Sequence, residues 1–397
     1  MLLKKNLIRL FFPLFAVFFT TCITPFTPEG IDSLGGTLVV EGDIVLNGYT
    51  KIYLSVSKAL DSSAPDRYLT EARVFVLSDR DEEYEGALVV PTDEPPYFLI
   101  DTKGLPLDRR YSLSVFLANG TLQFVSDPMA PLVTPEVGSV DYEVNETATD
   151  VEVTVTTYGS QHDSFYYKWN YTEDWEIESP FLTSVYWDPA ARQIRRYPSG
   201  TYPLRYCWRR SQSTAILVAK TDHLTNNTVS EMPLHSIDCT NDRISYLYSM
   251  EVSQMSISQR AYIYWRNLQK NTDEIGGIFA PQPSEMSGNI RFVPAGDPEL
   301  DIKDVKVLGY ISVGTVATKR IFVDAQELGI YRRSFSCPAF NPDIYDNPVL
   351  VPHPFDAGFL PVQDLEGEEL LWITGSCVDC SRRGSKNKPS FWPNDHL

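Results

Sequence analysis

Short segments in which every second residue is apolar run along this chain, and that period of two commits it to half-buried β-strands. Ile52, Leu54 and Val56 alternate with Tyr53 and Ser55, and Ala72, Val74 and Val76 repeat the pattern. So do Tyr111, Leu113, Val115 and Leu117, while Leu38-Val39-Val40 is a compact apolar run. Asn119-Gly120 stands between two such runs, where a tight hairpin needs two residues that tolerate positive φ, and Asn47-Gly48 repeats the device earlier. Six or seven strands over about a hundred residues predict a β-sandwich of immunoglobulin or transthyretin type.

Pro128, Pro131, Pro135 and Gly138 interrupt the pattern, which places a domain boundary near residue 136. The sandwich is then 37–136, and 137–397 forms a larger β-rich region. That region opens on Val151, Val153 and Val155 against Glu152, Thr154 and Thr156. An aromatic-dense stretch follows between Tyr158 and Trp208. Trp169, Trp175, Trp187 and Tyr202 are its candidate ligand contacts, because exposed rings stack on sugar and side-chain faces; sheet packing is the competing use of the same residues. One helix is predicted: Ser256 and Gln259 form a capping-box pattern, and Ile257, Ala261, Tyr264 and Leu268 share a face.

The amino terminus constrains location. Lys4, Lys5 and Arg9 precede the apolar run Leu10 to Phe19, and Cys22 follows at once, the layout of a signal peptide over 1–21. The run is about ten residues, half of what a spanning helix requires. A cleavage site before Cys22 resembles the lipobox of bacterial lipoproteins, with Phe19 and Thr21 at positions where Leu and a smaller residue are usual. Cys22 is therefore the expected lipidation site, and 22–36, rich in Pro, Thr and Gly, the tether.

With the three leader cations gone, 31 of 34 Lys and Arg remain against 52 Asp and Glu, a net of −21. Such a surface repels phosphate backbones, so no nucleic-acid partner is expected. No zinc-binding helix, phosphate loop, dinucleotide fingerprint or nucleophile elbow is present in the sequence, and no catalytic residue, metal or cofactor is predicted. Two acidic groups, Asp79 to Glu85 and Asp297 to Asp304, lack the glycine and closing glutamate of a calcium loop.

An exported chain is permitted disulfides. Among Cys207, Cys239, Cys337, Cys377 and Cys380, proximity favours Cys207–Cys239, a loop of about thirty residues stabilising by roughly 3–4 kcal/mol. Cys337 then pairs with Cys377 or Cys380, and one thiol is left. Cys377-x-x-Cys380 also has the spacing of a redox pair or half a zinc site, but the loop-like Ser381-Arg382-Arg383-Gly384-Ser385 follows it.

An ordered set of segments resembles one family. Cys22, Pro25 and Pro28 lead to Leu38-Val39-Val40-Glu41-Gly42-Asp43-Ile44; Ile257-Ser258, Tyr262 to Leu268, Gly277-Ile278-Phe279, Pro281-Gln282-Pro283 and Gly288-Asn289-Ile290 follow. Val307 to Ser312, Cys377-Val378-Asp379-Cys380 and Lys388-Pro389-Ser390-Phe391-Trp392 close the set. The likeness is to the lipoproteins classed as domain of unknown function 4249 in Bacteroidota. It implies an outer-membrane lipoprotein encoded beside a TonB-dependent transporter, with an amino-terminal immunoglobulin-like or carboxypeptidase-regulatory-like sandwich and no catalytic residues to carry over. The expected function is thus a non-enzymatic, lipid-anchored accessory that captures a peptide, glycan or chelate for that β-barrel. A surface hydrolase using a carboxylate pair, and an adhesin or structural sandwich, are the alternatives.

Overall fold

The structure is a computed structural model and describes residues 36–58, 65–92, 94–117, 120, 122–273, 288–294, 306–330, 336–342, 352–363 and 370–393. Cys22, the leader and nearly all of the tether lie outside these residues, as do Asn119, the turn formers 276–283, the acidic group 297–304 and His396.

The chain is mainly β, with one α-helix among the described residues. Period-two alternation becomes strands with one buried face. Leu38–Glu41 pairs antiparallel with Tyr49–Val56, which pairs with Tyr97–Asp101, whose other edge takes Ala87–Val89. Arg73–Ser78, Tyr111–Leu117 and Leu122–Ser126 form a second antiparallel sheet. Leu38, Val40, Ile52, Leu54 and Ile100 from the first sheet share one core with Val74, Val76, Leu113, Val115 and Phe124 from the second.

Residues 37–136 do not complete that core. Ile290–Pro294 adds to the edge of Leu122–Ser126, Val307–Leu308 lies parallel to Leu38–Glu41, and Val313–Gly314 lies parallel to Ile44–Val45. Val307, Ile311 and Val313 are buried among the amino-terminal residues. The boundary expected near 136 therefore does not divide the molecule into consecutive halves. A parallel partner reached by a long crossover leaves no local period to read. The returning segment lies very close: Gly309 has φ +140°, and a Cβ there would sit 2.2 Å from the Val40 carbonyl oxygen, so only glycine fits.

The two Asn-Gly signals end differently. Leu117 pairs with Leu122 across the second, as a hairpin requires. At the first, Ile44–Val45 pairs with Val313–Gly314 and not with Tyr49–Val56, so Asn47 does not turn a hairpin. Its side chain instead donates to the Val316 carbonyl at 2.8 Å and accepts the Val316 N–H at 2.9 Å.

Beyond residue 136 two further sheets face one another. Val137–Val144, Asp150–Tyr158 and Thr228–Asp238 form one. Tyr206–Gln212, Tyr166–Glu178, Leu247–Ser256 and Val316–Asp324 form the other, in that order. Val151, Val153 and Val155 pack against Trp169, Trp175, Tyr248 and Met250 between them.

The helix Gln259–Asp273 buries Ala261 and Tyr264 as its stripe predicts. Its cap is not the expected one. Ser258 Oγ accepts the Ala261 N–H at 3.2 Å, whereas Ser256 is the last residue of a strand and donates its N–H to Thr134 Oγ1 at 2.9 Å. The strand runs two residues further than the local pattern suggests because Ser256 still pairs with Tyr167. Lys168 ties this half to the amino-terminal sheets by an ion pair with Asp43, whose other oxygen accepts the Ser312 N–H at 3.1 Å.

Candidate functional site

The strand Tyr166–Glu178 organises the second half, and its two faces carry different chemistry. One face presents Tyr167, Trp169, Tyr171, Trp175 and Ile177 to the core. Trp169 is buried and donates from Nε1 to Gln254 Oε1 at 2.9 Å; Trp175 is buried with the guanidinium of Arg209 5.2 Å and that of Arg243 5.0 Å from its ring centroid. Neither tryptophan faces a groove, so both leave the set of ligand contacts expected from the sequence. A strand between two neighbours in a sheet that is itself covered presents no free ring face, and single-sequence density of aromatics does not reveal that.

Glu173 interrupts this apolar face between Tyr171 and Trp175. Arg243 Nη1 donates to both carboxylate oxygens at 2.9 and 3.1 Å, the Tyr248 hydroxyl donates at 2.9 Å, and His235 Nε2 lies 3.3 Å away. Burial opposes ionisation, but His235, Arg243 and Tyr248 together outweigh it and hold the carboxyl below its usual range.

On the opposite face a row of charge crosses the sheet. Asp174 accepts from Arg210 Nε at 2.8 Å and from Arg320 Nη1 at 3.3 Å, and Arg320 Nη2 reaches Glu251 at 2.8 Å. Glu178 pairs with Arg205 at 2.7 Å. The chain's last described segment closes over this row. Phe391 lies on Arg320, its ring centroid 3.5 Å from the guanidinium carbon, and Trp392 packs on Phe322 and beside Trp208. A hydrolase of the carboxylate-pair kind needs both acids facing an open cleft; Asp174 and Glu178 are instead buried against arginines.

Trp187 occupies a different setting. The hairpin of Val185–Asp188 with Gln193–Arg196 lies against a second hairpin, Phe359–Gln363 with Leu370–Thr374. Between them Trp187 stacks on His353 with centroids 4.3 Å apart, and Trp372 stands edge-on at 5.9 Å from Trp187 and 5.1 Å from His353. All three rings are half-buried. His353 Nδ1 accepts the Phe355 N–H at 3.2 Å, so a neutral His353 carries its proton on Nε2. On the other face of the first hairpin Tyr186 and Tyr197 pair at 4.8 Å.

Cationic side chains flank these rings. Arg192, Arg195 and Arg196 are exposed; Arg195 pairs with Asp188 at 2.7 Å, and Arg196 stands two positions from the residue opposite Trp187, on the same face of the hairpin. Tyr202, 45 % exposed, lines a shallow surface depression with Phe181, Leu182 and Val378. Of the four expected contacts, Trp187 and Tyr202 thus reach the surface. His353 and Trp372 were missed; the only signal for Trp372 was the run Leu370-Leu371-Trp372-Ile373 before Gly375.

The cysteines brace this region; Cys337 takes one of its two expected partners, while Cys207 does not take the expected Cys239. Cys207 bonds Cys380 and Cys337 bonds Cys377, while Cys239 is free. Cys207 lies on the strand Tyr206–Gln212, beside which the carboxy-terminal segment docks: Trp208 and Ser385 exchange both backbone hydrogen bonds at 2.8 Å. Cys239 ends up beyond Thr228–Asp238 in the other sheet, its N–H held by the Thr149 carbonyl at 2.8 Å. Proximity in sequence favoured Cys207–Cys239, and the sheet separates those strands. Cys377 and Cys380, each bonded elsewhere, do not form a redox pair. Among the described residues no three His, Cys, Asp or Glu side chains gather as a metal site.

No curated protein matches this chain. A family model does, over residues 23–320, which covers the first core and all but the end of the second and stops before Cys337, Cys377 and Cys380. The chain belongs to the family described as Domain of unknown function (DUF4249).

Proposed function

We propose that this protein is a lipid-anchored binding protein of the outer membrane, an accessory to a TonB-dependent transporter in the capture of a peptide, glycan or chelate. The observation that carries the reading is the ring cluster of Trp187, His353 and Trp372. It sits half-exposed on two hairpins and the segment leading into the second, outside the main cores, with both disulfides anchoring the adjoining segments. Rings held in place by packing lose little entropy on contact with a ligand, so rigidity favours binding. The neighbouring arginines favour a ligand that carries carboxylate or other anionic groups.

The leader ending at Cys22 supports the anchor, and resemblance to the family supports the transporter as partner. An acyl anchor holds the binding surface beside the channel and raises its effective concentration there. Affinity purification after extraction in mild detergent tests the partnership: co-elution of a large β-barrel is expected, and recovery of the protein alone would contradict it. A chain carrying Trp187→Ala and Trp372→Ala should keep the partner and lose cargo uptake.

A further inference from the structure

The disulfide connectivity runs against the order in which the cysteines leave an export channel. Along the chain they come as Cys207, Cys239, Cys337, Cys377 and Cys380, yet the bonds are nested: Cys337–Cys377, separated by 40 residues, lies inside Cys207–Cys380, separated by 173. Cys239, the first thiol to follow Cys207, has no bond.

In an unfolded chain the chance that two thiols meet falls as about the −3/2 power of the loop between them. Cys207 therefore meets Cys239 about twelve times as often as it meets Cys380. During export the imbalance is greater, because Cys239 emerges long before Cys380.

We propose that oxidation first joins Cys207 to Cys239, and that the native Cys207–Cys380 bond arises by exchange, which makes this protein a client of a thiol–disulfide isomerase. In the first step a disulfide-carrying oxidase takes two electrons and two protons from Cys207 and Cys239. In the second, the Cys380 thiolate attacks the Cys207 sulfur. The Cys207–Cys239 bond breaks, and Cys239 leaves as a thiolate that takes up the proton Cys380 gave away. No net oxidation accompanies the exchange.

The fold supplies the driving force for the second step. Cys380 N–H donates to the Leu204 carbonyl at 3.1 Å, and the paired bonds between Trp208 and Ser385 lay the segment beside Cys207. Gly384 permits this approach, since a Cβ there would meet the Trp208 carbonyl oxygen at 2.8 Å. The Cys337–Cys377 bond keeps Cys380 near the paired strands Phe359–Gln363 and Leu370–Thr374, so folding of that region delivers the attacking sulfur. Once released, Cys239 is half-buried among Asp150 and Asp238, and burial foremost pushes its thiol pKa up. A raised thiol pKa lowers the thiolate fraction and slows attack on the native bond, which disfavours the reverse exchange.

The test uses the full chain with Cys22→Ser, reduced, unfolded, and refolded in a glutathione and glutathione disulfide mixture. Samples are alkylated at intervals and their linked peptides mapped. The Cys207–Cys239 species should exceed Cys207–Cys380 by about tenfold at the earliest times, then convert, and faster with an added isomerase. Cys239→Ser should form no Cys207–Cys239 species and should gain less from isomerase, which then acts only on mispairings among Cys207, Cys337, Cys377 and Cys380. Cys380→Ser, whether or not it folds, should accumulate Cys207–Cys239. Direct appearance of Cys207–Cys380, equal acceleration of Cys239→Ser by isomerase, or free Cys207 and Cys239 in Cys380→Ser would overturn the proposal.

Discussion

Replacing Glu173 with Gln keeps the shape of the side chain and removes its charge, which makes it a sharp probe of the network around it. Glu173 is buried and receives Arg243 at 2.9 and 3.1 Å, Tyr248 at 2.9 Å and His235 at 3.3 Å. Removing one partner of a buried ion pair costs roughly 3–5 kcal/mol. Arg243 keeps 29 % of its side chain exposed, and hydration returns part of that loss, so about 2–3 kcal/mol is expected at neutral pH. Against a total of about 5–15 kcal/mol, this is a large shift in the urea midpoint. The sign of the pH dependence follows from the carboxyl being held below its usual range. A depressed folded-state value adds stability that is complete above the unfolded value of about 4.3 and lost as pH falls through the folded value. The two unfolding curves should therefore lie apart at pH 7 and draw together below about pH 4. A Glu173→Gln midpoint equal to that of the parent at pH 7, or a gap unchanged by acid, would refute the reasoning.

Three further outcomes follow from named contacts. Ser258→Ala removes the observed helix cap and should cost about 1 kcal/mol in thermal unfolding, whereas Ser256, the capping residue expected from the sequence, makes no cap bond. Gly384→Val drives a side chain against the Trp208 carbonyl and Ile177 and should loosen the terminal segment, seen as faster proteolysis after Cys380 and a change in Trp392 fluorescence. Gln254→Leu orphans the buried Trp169 indole N–H, bonded at 2.9 Å, and the buried Thr157 hydroxyl, and frees the half-buried Pro135 carbonyl; each buried orphan should cost about 1–3 kcal/mol in urea unfolding.

Legibility in the sequence followed the range of the interactions. Val151, Val153 and Val155, like Ile52 and Leu54, announce strands because alternation is local, and all five are buried. The helix stripe was equally plain, since Ala261 and Tyr264 recur at helical spacing. Long-range pairing was not: nothing near Val307 or Val313 indicates parallel partners in Leu38–Glu41 and Ile44–Val45. The same blindness produced the Cys207–Cys239 expectation, because loop length is visible and the docking of Ser385 on Trp208 is not. At the candidate site, ring density marked the neighbourhood but could not separate Trp187, on an outer hairpin, from Trp169, in a covered sheet. His353 and Trp372 meet Trp187 only through contact between segments far apart in sequence.

The proposed function requires lipidation of Cys22, which would hold the ring cluster beside a transporter. Mass analysis of the amino-terminal peptide from envelope-extracted protein tests it directly. The predicted peptide begins at Cys22 and carries the added mass of acyl chains; a peptide that begins elsewhere, or an unmodified Cys22, would contradict the account.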